Sequence, residues 1–196
     1  MSRISQEAFP YGSEYVIVAS GENFPDALAA SSLAGALQSP IVLTEKNKLS
    51  TEARAEIQRL SASTAVIIGG TSAVSQSAEN EIRSVVSRNR VVRFGGATRY
   101  ETAMSIYRNA PSTLNIQWGR TAIIATGAKS ADALSISPYA YQSSSPLFLS
   151  SESGLEADAL DVLNTTNFDS VVLSGGPSAV PDQVQQQLSS AGLDVI

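Results

Sequence analysis

Residues 16–21 read Val-Ile-Val-Ala-Ser-Gly, and the chain returns to this pattern at 122–127 with Ala-Ile-Ile-Ala-Thr-Gly. The triplet Asp-Ala-Leu follows each copy, at 26–28 and at 132–134, so both pairs lie 106 residues apart. The same offset relates, without a gap, Pro-Ile-Val-Leu at 40–43 to Pro-Leu-Phe-Leu at 146–149 and Gly-Gly-Thr-Ser-Ala-Val at 69–74 to Gly-Gly-Pro-Ser-Ala-Val at 175–180. A register kept over this length predicts a duplicated module. We expect a first repeat at residues 1–94, incomplete at its amino terminus, and a second at residues 95–196.

Each predicted repeat alternates between two patterns. Short runs rich in Val and Ile have the length and composition of buried parallel strands. Between them, apolar residues recur at helical spacing, as at Leu28, Leu33 and Leu37. This alternation predicts right-handed crossovers, and therefore an α/β fold of tandem three-layer βα repeats with a parallel sheet (Toprim-like or Rossmann-like). The predicted strands are 16–20, 40–44, 64–68, 90–94, 121–126, 146–150 and 170–174.

The composition excludes several classes of site. The 196 residues include no His and no Cys, and the formal net charge is −5. Ser-His and Cys-His catalysis, disulfides and zinc sites built on thiolate or imidazole are thereby excluded. An acidic chain argues against nucleic-acid binding, and no run approaches the roughly 20 apolar residues of a membrane span. Any catalysis would have to rest on carboxylates, Lys, Tyr or Ser, so we do not expect an enzyme. We also expect no cofactor, metal site, nucleic-acid partner or membrane partner.

One predicted helix begins with residues that capping explains only in part. Thr98 and Glu101 have the spacing of a capping box, in which each side chain accepts a hydrogen bond from a free backbone N–H. Arg99 between them is not explained this way, because a cation is disfavoured at a helix amino terminus. Its fork of donors suits phosphate or carboxylate groups. Arg99 is either a ligand or subunit contact or one member of a surface ion pair.

Asp26 and Asp132 each follow a strand-ending glycine by five residues. An Asp at this position stabilises the first turn of a helix by about 1 kcal/mol. A role as general base would need a second polar group, and no companion carboxylate recurs in both repeats. Helix stabilisation and participation in a binding site both remain open.

Two glycine pairs, Gly69-Gly70 and Gly175-Gly176, end predicted strands and precede helices. Their exposed N–H groups make an anion site possible. The pattern is neither a Walker A loop nor the dinucleotide-binding fingerprint, so the signal for an anion site is weak and tight-turn geometry is the favoured explanation.

Charge is distributed unevenly along the sequence. Seven arginines, Arg93 and Arg99 among them, lie between residues 83 and 120 against one acid, while eight acids and no base follow residue 130. Such asymmetry produces attraction over nanometre distances at modest salt. The basic segment is predicted to meet an anionic polymer or the acidic face of another module, unless folding scatters these charges.

The ordered motifs resemble a known family. Gly-Gly-Ala-Thr-Arg-Tyr-Glu-Thr-Ala at 95–103, the segment 19–28, Pro-Ile-Val-Leu at 40–43 and Ile-Gly-Gly at 68–70 are similar to the cell wall binding repeat 2 family of Gram-positive bacteria. The resemblance covers nearly the whole chain, twice over. The second copy departs from it at 129–131, where the family favours a Phe before the Asp.

This resemblance implies that an exported protein is anchored non-covalently at the cell surface to an anionic secondary wall polymer similar to teichoic acid. It implies a Toprim-like unit in a threefold or pseudo-threefold assembly, completed by a third repeat or by other copies of the chain. Arg99 and Tyr100 fall in the family's Arg-Tyr motif, and Asp26 and Asp132 in its Asp-Ala-Leu motif. With Arg93 and the two glycine pairs, they are the predicted polymer-binding residues.

Two other functions remain open at this stage. Parallel sheets place ligand crevices at the carboxyl ends of their strands, so an enzyme or binding protein for a phosphorylated sugar or nucleotide is one alternative. A structural module that joins acidic to basic surfaces head to tail is the other.

Overall fold

A computed structural model describes residues 2–22, 25–190 and 192–196; Asn23 and Phe24 of the first motif lie outside this part. The first half contains α1 (Ser2–Ala8), β1 (Tyr15–Ser20), α2 (Pro25–Leu37), β2 (Ile41–Thr44), α3 (Thr51–Leu60), β3 (Thr64–Ile68), α4 (Gln76–Val85) and β4 (Arg90–Phe94). The second half contains α5 (Arg99–Leu114), β5 (Thr121–Thr126), α6 (Ser130–Ser143), β6 (Leu147–Ser150), α7 (Ala157–Thr165), β7 (Ser170–Ser174) and α8 (Asp182–Ser190). Every predicted strand is present and begins within one residue of its predicted start.

The strands form two parallel sheets. The order is β2-β1-β3-β4 in the first sheet and β6-β5-β7 in the second. Ile17 pairs with Ile41 in the first sheet and Ile123 with Leu147 in the second, which is the same register 106 residues on. The prediction of an α/β fold with tandem parallel-sheet repeats is confirmed.

Helices cover both faces of the first sheet because its strands are apolar on both. Ile17 and Ala19 of β1 face a cluster that includes α2 and α5, whereas Val16 and Val18 face α3 and α4. No helix in residues 2–22, 25–190 and 192–196 is both long and apolar enough to span a membrane.

The two sheets share one apolar core. It combines Leu33 of α2 with Ile123 and Ala140 from the second half. At its centre α2 and α6 approach so closely that a Cβ on Gly35 would lie 1.9 Å from the carbonyl oxygen of Tyr141. This core contains residues from both sides of the proposed boundary between residues 94 and 95. The division into 1–94 and 95–196 therefore stays a prediction.

Helix α5 accounts for the main difference between the sheets. Its Ile106 and Ala110 join the cluster that buries Leu147 and Leu149 of β6, which are each 3% exposed. The corresponding helix of the first half is α1, with seven residues against the sixteen of α5. Ile41 and Leu43 of β2 remain partly exposed as a result. The carboxyl ends of the strands of the first sheet, next to the start of α5, form the site described below.

Candidate functional site

A polar cavity of about 210 Å³ lies at the carboxyl edge of the first sheet. Loops after β3 and β4 and the first turns of α2 and α5 enclose it. The cavity brings together three predicted site residues from distant parts of the sequence: Asp26, Gly70 and Arg99. Its other lining residues are Ser72, Ala73, Gly96, Ala97, Thr98 and Thr102.

Each repeat places its first-turn aspartate against a glycine. Gly69 has a φ of +102°, and a Cβ on it would lie 2.7 Å from Oδ2 of Asp26. Gly175 has a φ of +121°, and a Cβ on it would lie 3.0 Å from Oδ2 of Asp132. Both the left-handed backbone and the close carboxyl favour glycine here. The sequence predicted these residues separately, and the structure joins them as a pair in both repeats.

Asp26 is half-buried in the cavity. Burial raises the pKa of its carboxyl, and contact with the Thr102 hydroxyl and the positive charge of Arg99 oppose that rise. The pKa of Asp26 therefore lies above its ordinary value, and the Thr102 hydroxyl and Arg99 are the groups that favour its charged form.

The first turn of α5 has one half of the predicted capping box, and in the other half Glu101 accepts from Ala97 instead of Thr98. Thr98 Oγ1 accepts from the N–H of Glu101 at 3.2 Å, and Glu101 Oε2 accepts from the N–H of Ala97 at 2.8 Å. Thr102 Oγ1 accepts from the N–H of Gly96 at 3.2 Å, which ties the loop after β4 to the helix. The backbone on this side of the cavity is thus held rigidly. Thr102 is a site residue that the sequence reasoning missed, although it lies within the Arg-Tyr-Glu-Thr-Ala motif.

Arg99 and Tyr100 connect the cavity to the second sheet. A guanidinium N–H of Arg99 donates to the carbonyl oxygen of Gly127, directly after β5. The Tyr100 ring lies against the same glycine, where a Cβ would be 2.8 Å from Cε1. Tyr100 lines a separate cavity of about 480 Å³ between α5, β6 and α7. The two residues of the Arg-Tyr motif therefore face different spaces.

The guanidinium of Arg93 forms its hydrogen bonds within the first repeat. Its Nη1 donates to the carbonyl oxygen of Gly69 at 2.7 Å, and its Nη2 to that of Val74 at 2.9 Å and to Oε2 of Glu79 at 2.8 Å. These bonds fix the glycine turn after β3. The prediction that Arg93 contacts polymer stays a prediction, and its contacts indicate that it positions the turn.

Folding neutralises much of the basic segment. Four of its seven arginines have carboxylate partners at 2.5 to 2.8 Å: Arg83 and Arg93 with Glu79, Arg108 with Asp158 and Arg120 with Asp169. Within the described part of the chain Arg99 makes no such ion pair; it lines the cavity, and its positive charge acts on Asp26.

The equivalent edge of the second sheet is more open. Asp132 is anchored through its backbone, whose carbonyl oxygen accepts from Ser174 Oγ at 2.9 Å. A Cβ on Gly176 would have no atom within 4 Å. No Arg-bearing helix start closes this edge among residues 2–22, 25–190 and 192–196, and the same residues contain no group of three potential metal ligands.

Known proteins are similar to this chain in both sequence and fold. The family model of cell wall binding domain 2 (CWB2) matches residues 2–79 and 93–185. The N-acetylmuramoyl-L-alanine amidase LytC of Bacillus subtilis is 28% identical over 188 residues, which are 96% of this chain and 36% of the relative. The amidase enhancer of Bacillus subtilis is 29% identical over 173 residues, 88% of this chain and 22% of the relative.

Two solved structures have the same fold. Cwp6 from Clostridium difficile superimposes with a TM-score of 0.89, at 29% identity, over 97% of this chain and 29% of its own. Cwp8 from the same organism gives a TM-score of 0.83, at 29% identity, over 99% of this chain and 32% of its own. This chain thus spans little more than a third, or less, of the length of each relative. The resemblance deduced from the motifs is confirmed: the chain belongs to the cell wall binding domain 2 family, as a wall-binding module of the Gram-positive cell surface.

Proposed function

We propose that this module anchors a protein to an anionic wall polymer through the cavity at Arg99, without catalysing a reaction. The observation that carries the proposal is the position of Arg99, which lines a polar cavity and makes no carboxylate ion pair within the described residues. Arginine presents its N–H donors in a fixed fork that matches phosphate and carboxylate groups. An anionic group of the polymer would pair with the guanidinium, while hydroxyl groups would bond to Asp26 and Ser72.

The composition of the cavity supports binding without turnover. Among the residues that line it, Asp26 is the one carboxyl, and the chain has no His or Cys to act with it. General acid–base chemistry on a phosphorylated sugar uses two positioned proton-transfer groups, and the cavity supplies one. Gly70 in the cavity and the open Gly176 of the second repeat would allow the polymer to approach the backbone, whereas Gly69 and Gly175 make room for the carboxyls of Asp26 and Asp132.

Co-sedimentation with a purified poly(glycerol phosphate) wall polymer tests this proposal. Arg99→Ala should weaken binding about tenfold, which corresponds to the loss of one charge-assisted contact. The matched control is Arg88→Ala, which removes an exposed arginine at the opposite edge of the sheet and should leave binding unchanged. Binding should also fall as salt is raised. Equal binding by wild type and Arg99→Ala would contradict the proposed site.

The proposed partner also includes a further module of the same kind. An open face, lined by Ile4, Ile41, Leu134, Pro138 and Tyr141, encloses about 620 Å³ between α1, β2 and α6. Leu28 of α2 is 3% exposed and packs on Ala125 and Ala133 of the second repeat, whereas Leu134, its counterpart, is 56% exposed.

If the next module packed against this chain as the second repeat packs against the first, it would bury Leu134 as the second repeat buries Leu28. The next module would then also cover β2, as α5 covers β6. We propose that a third repeat, or a second copy of this chain, occupies the open face. Sedimentation velocity over a concentration series should then show association of this chain, and Leu134→Asp should abolish it. Tyr11→Asp, at a fully exposed tyrosine outside the open face, is the control. A wild-type chain that is monomeric throughout would contradict self-association.

A further inference from the structure

The outer helices of the two repeats are joined differently. In the first repeat Arg54 of α3 and Glu81 of α4 form an ion pair at 2.9 Å across the space between the helices. The matching positions of the second repeat, 106 residues on, are Leu160 and Gln187. Without the ion pair, a groove of about 380 Å³ opens between α7 and α8.

This groove is lined by uncharged hydrogen-bonding groups. Besides Leu160, its walls consist of amide and hydroxyl side chains: Asn164, Gln183, Gln186, Gln187 and Ser190. Oε1 of Gln187 is buried and accepts no hydrogen bond within the described part of the chain. This atom lies beside Gly154 and is out of reach of solvent, so hydrogen bonding in the groove falls to its exposed side chains, such as Gln183 and Gln186.

Both the chemistry and the surroundings select against a charged ligand. Side-chain amides donate and accept hydrogen bonds at once, as the hydroxyl and acetamido groups of a sugar do. No base follows residue 130, and of the eight acids there only Asp158 and Asp169 have arginine partners among the described residues, so the second repeat disfavours a phosphate or carboxylate group. Leu160 offers an apolar wall for the C–H face of a sugar ring, and the volume lies within the range of small-ligand sites.

We propose that the groove between α7 and α8 is a binding site for an uncharged sugar that carries hydroxyl and N-acetyl groups. The site is separate from the cavity at Arg99 and does not depend on the function proposed for that cavity. It belongs to the second repeat, because the Arg54–Glu81 pair occupies the same position in the first.

Titration of the ¹⁵N-labelled chain with N,N′-diacetylchitobiose, followed by NMR, tests the proposal. The side-chain amide signals of Asn164, Gln183, Gln186 and Gln187 should shift with a Kd of about 1–10 mM. Glycerol phosphate, the anionic probe, should leave these signals in place.

The double variant Leu160→Arg/Gln187→Glu rebuilds the ion pair of the first repeat and closes the groove, so binding should weaken at least about tenfold. Gln185→Glu adds one acid to the same helix outside the groove and should bind as wild type does. If the double variant fails to fold, Gln186→Ala, which removes one exposed amide, should weaken binding instead. Absent shifts in wild type, or unchanged binding by a folded closed variant, would overturn the proposal.

Discussion

The first repeat holds its outer helices with ion pairs, whereas the second has no charge pairs at the matching positions. Arg54–Glu81, Arg59–Glu56 and Arg83–Glu79 of the first repeat correspond to Leu160–Gln187, Thr165–Val162 and Ser189–Gln185 of the second. Strand register and the contact between aspartate and glycine are nevertheless the same in both. Divergence after duplication has therefore altered the outer faces and preserved the buried strands and the carboxyl edges. Arg54 and Glu81 are partly exposed, so the replacement of their ion pair costs little, whereas the carboxylates of Glu56 and Glu79 are largely buried and their pairs contribute more to stability.

The largest effect is expected where the repeats meet. Gly35→Ala places a Cβ 1.9 Å from the backbone oxygen of Tyr141 and forces α2 away from α6. We expect a loss of about 4 kcal/mol, more than ordinary overpacking, because two helix backbones must separate. Thermal unfolding should shift down by about 8–16 °C. Gly176→Ala, in open space, is the control; a similar loss there would mean that general backbone effects, not the helix contact, are being measured.

A smaller loss of stability is expected at Leu28, and almost none at the matching Leu134. Leu28→Ala removes a buried side chain and should cost about 3 kcal/mol, while Leu134→Ala should cost less than about 0.5 kcal/mol in the monomeric chain. Urea denaturation at low protein concentration measures both. A large loss for Leu134→Ala in the monomer would show that this residue already packs within the chain, against the proposed open face.

The strands could be predicted from the sequence because Val and Ile runs buried on both faces carry their own signal. The helices followed from spacing, and the cap at Thr98 from two residues three apart. Ion pairing could not be predicted this way. Arg108 and Asp158 are 50 residues apart in sequence, and Arg120 and Asp169 are 49 apart, so the folded chain alone brings them together.

In the candidate site, too, the sequence predicts individual residues but not which of them come together. Asp26, Gly70 and Arg99 were each identified by local pattern, but their convergence depends on the order of strands in the sheet. Ser72 lies in the repeated motif at 69–74, but nothing in that motif indicates that it lines the cavity. Neighbouring Arg99 and Tyr100 face different cavities because α5 approaches Gly127, and this approach is set by packing between the repeats.

An effect of about 2 kcal/mol is expected for Glu79→Gln, and it should depend on pH. Burial raises the pKa of Glu79, but the hydrogen bonds and charges of Arg93 and Arg83 outweigh it, so the pKa lies below its ordinary 4.5. A lowered pKa contributes stability that is present above pH 4.5 and lost as the pH falls through the folded-state pKa.

Urea denaturation at neutral and acid pH should therefore show the wild type losing more stability than Glu79→Gln as the pH drops below 4.5. The matching residue of the second repeat, Gln185, has no arginine partner, and Gln185→Ala should change stability by less than about 0.5 kcal/mol at either pH. Parallel pH profiles for wild type and Glu79→Gln would show that the arginine pairing does not set the acid sensitivity of the first repeat.

The smallest effect is expected from converting the first repeat to the pattern of the second. Arg54→Leu/Glu81→Gln removes an ion pair whose side chains are 36% and 35% exposed, so the cost should stay below about 0.5 kcal/mol. The same variant should open between α3 and α4 a groove like that between α7 and α8, and N,N′-diacetylchitobiose should then shift signals in both repeats. Because the variant is expected to keep its stability, new NMR shifts in the first repeat would show that the ion pair is what prevents sugar binding there. A stable variant without new shifts would mean that the amides specific to α7 and α8, rather than the missing ion pair, define the site.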